Sequence, residues 1–159
     1  MPKLDLSKIP LKGGSSYPGK LAQAMAGRSS QALGDAGGLS QYGVNLVRLD
    51  PGAISSLRHY HIQQDEFVMV TEGTCTLIDD HGEHTLQVGD CAAFPAGEAN
   101  GHHVVNRTEV PAVFLVVGTR TEKETGYYSD LDMKVSVDAA GYTFTRKDGS
   151  PLTADQIGE

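Results

Sequence analysis

Two histidines one residue apart, His59 and His61, followed after four residues by Glu66, are the side chains of this sequence best suited to chemistry. In an extended chain, side chains two apart share a face, so the two imidazoles stand together while Tyr60 points away. A carboxylate and two imidazole nitrogens converging on one point suit a first-row divalent metal. The run that follows Glu66, Phe67-Val68-Met69-Val70-Thr71, is β-branched and apolar like a buried strand, and Gly73 ends it.

A second cluster lies about thirty residues on. Gly89-Asp90 and Pro95-Ala96-Gly97 read as turns around a short strand, and the next strand carries His102, His103 or both inward. A fourth ligand is thereby available. Even spacing puts His102 and Asn106 on one face and His103 on the other, an assignment that a bulge in the preceding loop would reverse. The two stretches resemble the two motifs of the cupin superfamily. Gly52, His59, His61, Glu66 and Gly73 match the first, and Gly89, Pro95, Gly97, His102 and Asn106 match the second. Two spacings depart from the pattern: six residues rather than five separate Gly52 from His59, and four rather than two separate Gly97 from His102. The resemblance spans roughly residues 44–118. It implies a double-stranded β-helix, the jelly-roll barrel of the cupins, with one metal inside near its open end held by His59, His61, Glu66 and His102.

The surrounding elements read as an all-β fold in one structural domain. Residues 1–40 form an N-terminal arm rich in Gly and Ser, with one short helix over Lys20–Ala26 that Gly27 stops. The arm is expected to pack on the barrel exterior or on a neighbouring subunit through Leu21, Met25 and Leu33. The barrel core covers residues 41–120. Tyr42–Leu49 reads as a strand ended by the Asp50-Pro51-Gly52 turn. Thr74–Ile78 and His84–Val88 form a hairpin around Gly82, with His81 and His84 at a solvated tip. Pro111–Val117 is a continuous apolar run of the kind buried on both faces. Thr119–Glu124 is expected to be a charged linker. In residues 121–159, Leu131–Val137 and Tyr142–Thr145 form a C-terminal β-hairpin, followed by a tail. The count is about nine short strands.

At 159 residues the chain is one domain's worth. A net charge of -7 and a pI near 5.3, with no basic stripe, argue against nucleic acid as a partner. No apolar run approaches the roughly 20 residues that span a bilayer, so no membrane is expected. Two cysteines, Cys75 and Cys91, are too few for a disulfide framework, and both are expected to be free thiols packed as small core residues in a reduced, cytoplasmic compartment. If Glu66, Val68 and Val70 point inward, Phe67 and Met69 point outward and need covering, which suggests a homodimer.

Three histidines and a carboxylate leave two positions open on an octahedral metal, an arrangement suited to catalysis. Mn, Fe, Ni, Co, Cu and Zn all accept these ligands. The stretches around both motifs resemble small single-domain bacterial cupins often labelled sugar-phosphate isomerases, which implies a metal-dependent enzyme on a small oxygenated, sugar-like molecule. The alternatives are an Fe(II)-dependent dioxygenase of a small molecule and a non-catalytic, small-molecule-binding sensor. Asn106, by parity with His102, and Asn45 or Arg48 are the expected substrate-facing groups. A phosphate calls for an arginine. Arg58 and Arg107 adjoin inward ligands and so point outward, leaving Arg48 and Arg120 as candidates.

Overall fold

Alternation of apolar and polar side chains through the middle of the chain produces strands with one face turned to a common interior. The computed structural model describes residues 3–158. In chain order its strands are β1 (Lys12–Gly13), β2 (Arg28–Ala32), β3 (Tyr42–Leu49), β4 (His59–His61), β5 (Glu66–Glu72), β6 (Thr74–Asp79) and β7 (Gly82–Gln87). They continue as β8 (Cys91–Phe94), β9 (His103–Val105), β10 (Ala112–Thr119), β11 (Glu124–Tyr128), β12 (Lys134–Asp138) and β13 (Gly141–Thr145). Two short helices, α1 (Leu33–Ala36) and α2 (Ala154–Ile157), complete the chain together with 3-10 turns at Leu6–Lys8 and Gly19–Met25.

One wall of the barrel is a six-stranded sheet in the order β1-β2-β3-β10-β5-β8. The other is made of a four-stranded sheet, β13-β12-β11-β4, and a three-stranded one, β7-β6-β9. Two isolated bridges, Ile54↔Val105 and His59↔His102, stitch these together. Inward residues of both walls form the core: Val47, Leu49, Val68, Val70, Ala112 and Phe114 meet Cys75, Leu77, Leu86 and Val104. Val68 and Val70 are buried and Phe67 is 38% exposed, so the parity of β5 is as the sequence predicts. Gly73 makes the tight turn into β6 at φ 72°, and a Cβ there would lie 2.8 Å from the Pro111 carbonyl oxygen. The motif glycine is thus required twice over, by its backbone angle and by a close approach.

Four expectations are corrected. The arm is no exterior layer: β2 pairs with β3 throughout, Arg28↔Leu49 to Ala32↔Asn45, so it is a strand of the barrel sheet. Its 3-10 segment Gly19–Met25 brings Leu21 against a second apolar cluster of Tyr128, Met133 and Val135, with Tyr17 beside it. The charged run does not end as a linker, because Glu124 begins β11, which pairs with β4. The strands number thirteen among the described residues, the excess coming from β1, β2 and β11 and from pieces too short for a periodic signal. Both cysteines are free, but only Cys75 is a core residue, its thiol pushed up to about 11 by burial; Cys91 is exposed on the outer face of β8. No helix among the described residues is long and apolar enough to cross a membrane.

Candidate metal centre

Strand parity assembles the site from both walls. On β4, His59 and His61 face inward while Tyr60 turns out to stack on Tyr127 with ring centroids 5.6 Å apart. On the opposite wall Glu66 opens β5, in register with Gly118 of β10 and Phe94 of β8. One donor atom from each of His59, His61 and Glu66 lies within 4.8 Å of the others. The His59 Nε2 to His61 Nε2 distance is 3.1 Å, and His61 Nε2 is 3.3 Å from Glu66 Oε2.

His102 joins them through the bridge to His59. It is 3% exposed, and its Nε2 lies 3.8 Å from Glu66 Oε1, although it falls outside the tightest group of three. Phe94 stacks on its ring at 3.5 Å and 6°, which fixes the imidazole plane. His103 sits on the other side of the strand, with Nδ1 2.9 Å from the Ser56 carbonyl oxygen and its backbone paired with Ile78. His102 rather than His103 is therefore the histidine that faces the three-residue cluster, without the bulge that would have exchanged them.

The donor set fits a divalent cation. His59 Nδ1 donates to the Leu57 carbonyl at 2.8 Å and His102 Nδ1 to the Asn100 carbonyl at 3.1 Å, so each presents the lone pair of Nε2 to the centre. His102 Nε2 is buried and has no hydrogen-bond partner. Burial, with His61 alongside, lowers the His59 pKa to about 4 and keeps that ring neutral. Burial opposes charge on Glu66 too, but the imidazoles of His102 and His61 outweigh it and hold the carboxyl far below its ordinary range. Burial likewise opposes a proton on His61, yet Glu66 and Glu124 prevail and raise its pKa. A neutral His59 imidazole and an ionised Glu66 carboxylate are donors a transition metal takes, and a bound cation would displace the proton that Glu66 and Glu124 favour on His61.

Glu124, at the end of the charged run expected to be a linker, stands behind this site. It shares the inward face of β11 with Gly126 and Tyr128, the residues paired with His61 and His59. The side chain is 4% exposed, its Oε1 accepts the Ile62 N–H at 2.9 Å, and the same oxygen is 3.7 Å from His61 Nδ1. At 3.7 Å this is a charge contact and not a hydrogen bond, and His61 Nδ1 is buried without a hydrogen-bond partner, so Glu124 acts on the imidazole through its charge. Glu124→Gln is expected to weaken metal affinity about 10–100-fold. Competition against a chromophoric chelator measures that loss, and apoprotein unfolding temperature should be nearly unchanged.

The site opens into a cavity of about 600 Å³ that Asn45, Ser56, Gln64 and Tyr128 help to line. Of the expected substrate-facing groups, Asn45 lines it. Arg48 does not: its side chain points outward beside Asp50, 3.5 Å away, because β3 turns Asn45 and Val47 inward. Asn106 does not either. It faces in but is fully buried, and its amide is used up on the Leu49 and Val110 carbonyls and on Thr108. Arg120 reaches the cavity edge, with its guanidinium on Asp35 and the Leu39 carbonyl. Arg58 and Arg107 point outward as parity requires, onto Asp80 and Asp130 and onto Glu83. Phe94, Glu124, Tyr128 and Arg28 were not singled out from the sequence. For Glu124 and Tyr128 the signal was the odd-even run Glu124-Thr125-Gly126-Tyr127-Tyr128, too short to stand out beside its charged neighbours.

A jelly-roll barrel with histidines on one wall and a carboxylate on the other defines the cupin class, and the chain belongs to the cupin superfamily. The Cupin domain family profile matches residues 45–118. A crystal structure described as a sugar phosphate isomerase from a cupin superfamily, from Silicibacter pomeroyi, is 72% identical, with 99% of this chain and 100% of that one covered and a TM-score of 0.98. A protein from Acidithiobacillus ferrooxidans, provisionally named a sugar phosphate isomerase, is 25% identical over 93% of this chain and 92% of its own, with a TM-score of 0.78. The polyketide cyclase RemF of Streptomyces resistomycificus shares the fold at 20% identity and a TM-score of 0.62, over 75% of this chain and 79% of its own. No curated protein matches the sequence.

Proposed function

We propose that the chain is a metal-dependent enzyme acting on a small oxygenated, sugar-like molecule, with isomerisation of a sugar phosphate as its reaction. The observation that carries this reading is the convergence of His59, His61 and Glu66, with His102 beside them, in a half-open chamber of about 600 Å³. Such a volume suits a small-molecule substrate. The name of the 72%-identical Silicibacter pomeroyi protein supports the same reaction class.

When bound, a divalent metal would supply Lewis acidity toward a carbonyl or hydroxyl oxygen. The chain's own groups do the rest. Asn45 offers both a donor and an acceptor to a substrate hydroxyl. Burial, reinforced by Tyr17, raises the Tyr128 pKa well above that of a free phenol, so Tyr128 stays protonated in the chamber wall and is not a base. Apolar inward residues, Val68, Phe94, Phe114 and Val116, exclude water from the inner part of the chamber.

The test is elemental analysis of protein purified without added metal, then assay of aldose–ketose phosphate interconversion. Asn45→Ala is expected to lower turnover about tenfold with metal content unchanged. Unchanged turnover in that variant, or oxygen consumption by a bound redox-active iron, would withdraw the isomerase reading and leave only the metal site.

We further infer that the protein works as a homodimer in a reducing compartment. Phe67, Met69, Leu115 and Val117 form an apolar row on the outer face of the six-stranded sheet, in register as Met69↔Leu115 and Phe67↔Val117. Such a row favours a partner surface. Sedimentation velocity should find a dimer at micromolar concentration, and Phe67→Glu should shift it toward monomer.

A further inference from the structure

The described residues hold six arginines, and five of them have an acidic partner. Arg48 meets Asp50, Arg58 meets Asp80 and Asp130, Arg107 meets Glu83, Arg120 meets Asp35 and Arg146 meets Asp132. Arg28 is the exception. It lies on β2 opposite Leu49, a core residue of 0% exposure, and so faces the interior. Its side chain lines the same cavity as the histidines. The Nε is buried and has no hydrogen-bond partner.

A buried Nε–H of a half-buried guanidinium is costly to leave unpaired, and the cost is relieved by an acceptor. Burial also pulls the Arg28 pKa below that of a free arginine, against the opposing influence of Tyr17 and Glu66. Neither of those two is an available partner. Tyr17 is kept protonated by burial, and its oxygen accepts the Leu57 N–H at 3.2 Å. Glu66 is engaged by the imidazoles. No lysine lines the cavity, and the other arginine at its edge, Arg120, is tied to Asp35. The planar fork of a guanidinium binds the two oxygens of a phosphate or carboxylate in parallel, which an ammonium cannot do.

We propose that Arg28 is the anchor for an oxyanion carried by the ligand, a phosphate or carboxylate group that sits in the cavity away from the end held at the metal centre. The assignment rests on the reading of the cavity as the substrate chamber and adds to it the residue that holds the substrate's anionic group. It also gives the N-terminal segment a role: β2 joins the barrel sheet and carries a binding group into the site.

The test is calorimetric titration of inorganic phosphate and, separately, acetate into the full chain at low ionic strength, with and without prior treatment by chelator. Arg28→Gln should weaken phosphate binding about tenfold or more in both preparations. Arg48→Gln, outside the cavity, should leave it unchanged. Tighter binding of phosphate than of acetate assigns a phosphate ester as the ligand, and the reverse order assigns a carboxylate. Should Arg28→Gln fail to fold, Arg28→Lys keeps the charge and loses the fork, and a weakening of severalfold supports the assignment. Equal affinity in wild type and the Arg28 variant overturns it. So does binding that disappears on chelation and is indifferent to Arg28, or the absence of binding by either anion. Metal content measured on each sample separates this outcome from failure of the metal-enzyme reading, since Arg28→Gln should retain the wild-type metal.

Discussion

The His61→Ala variant is expected to purify without metal and without turnover. His61 is the middle member of the donor group: its Nε2 is 3.1 Å from that of His59 and 3.3 Å from Glu66 Oε2, and its Nδ1 faces Glu124. Its removal takes away a donor and also severs the link between the ligands and the carboxylate behind them. Loss of an outer-shell partner alone costs about 10–100-fold in metal affinity, so loss of the ligand itself should exceed that range. Elemental analysis and turnover of the same preparation decide the matter, with circular dichroism to verify the strands. A variant with full metal content would remove His61 from the ligand set. Chelation of the wild-type protein should reproduce the activity loss, and readdition of metal should restore it only there.

The second large effect is one of stability. Asn106→Ala should destabilise the fold by about 3 kcal/mol, because four hydrogen bonds are lost and the buried Leu49 carbonyl loses its side-chain donor. Its Nδ2 donates to the Leu49 carbonyl at 3.0 Å and to the Val110 carbonyl at 2.8 Å, and its Oδ1 accepts the N–H and hydroxyl of Thr108 at 3.0 and 2.8 Å. These bonds tie the end of β3 to the turn between β9 and β10. For a chain of this size the unfolding temperature should fall by about 10 °C. The metal bound per folded molecule should stay at the wild-type value. Wild-type stability together with reduced turnover would instead return Asn106 to the role of a substrate-binding residue.

Much of the site was legible because it depends on local periodicity. An alternating strand places every second side chain on one face, and that alone put His59 with His61, Glu66 with Val68 and Val70, His102 opposite His103, and Phe67 and Met69 outward. The bounds of β3 and the hairpin around Gly82 follow from the same rule and from turn chemistry. Three matters were decided only by tertiary structure. Parity says that Asn106 faces inward, but not that a loop closing over it would occupy every donor and acceptor it has. Glu124 sits in a charged run whose composition reads as solvated, and only the pairing of β11 with β4 carries it into the wall behind His61. Arg28 sits in an arm with weak patterning, and only the register of β2 on β3 turns it toward the histidines. These placements arise from contacts between segments far apart in the chain, which a single sequence does not encode in any local pattern. The candidate metal ligands lie on two short stretches with a regular repeat, whereas Glu124 and Arg28 are brought beside them by the pairing of the sheets.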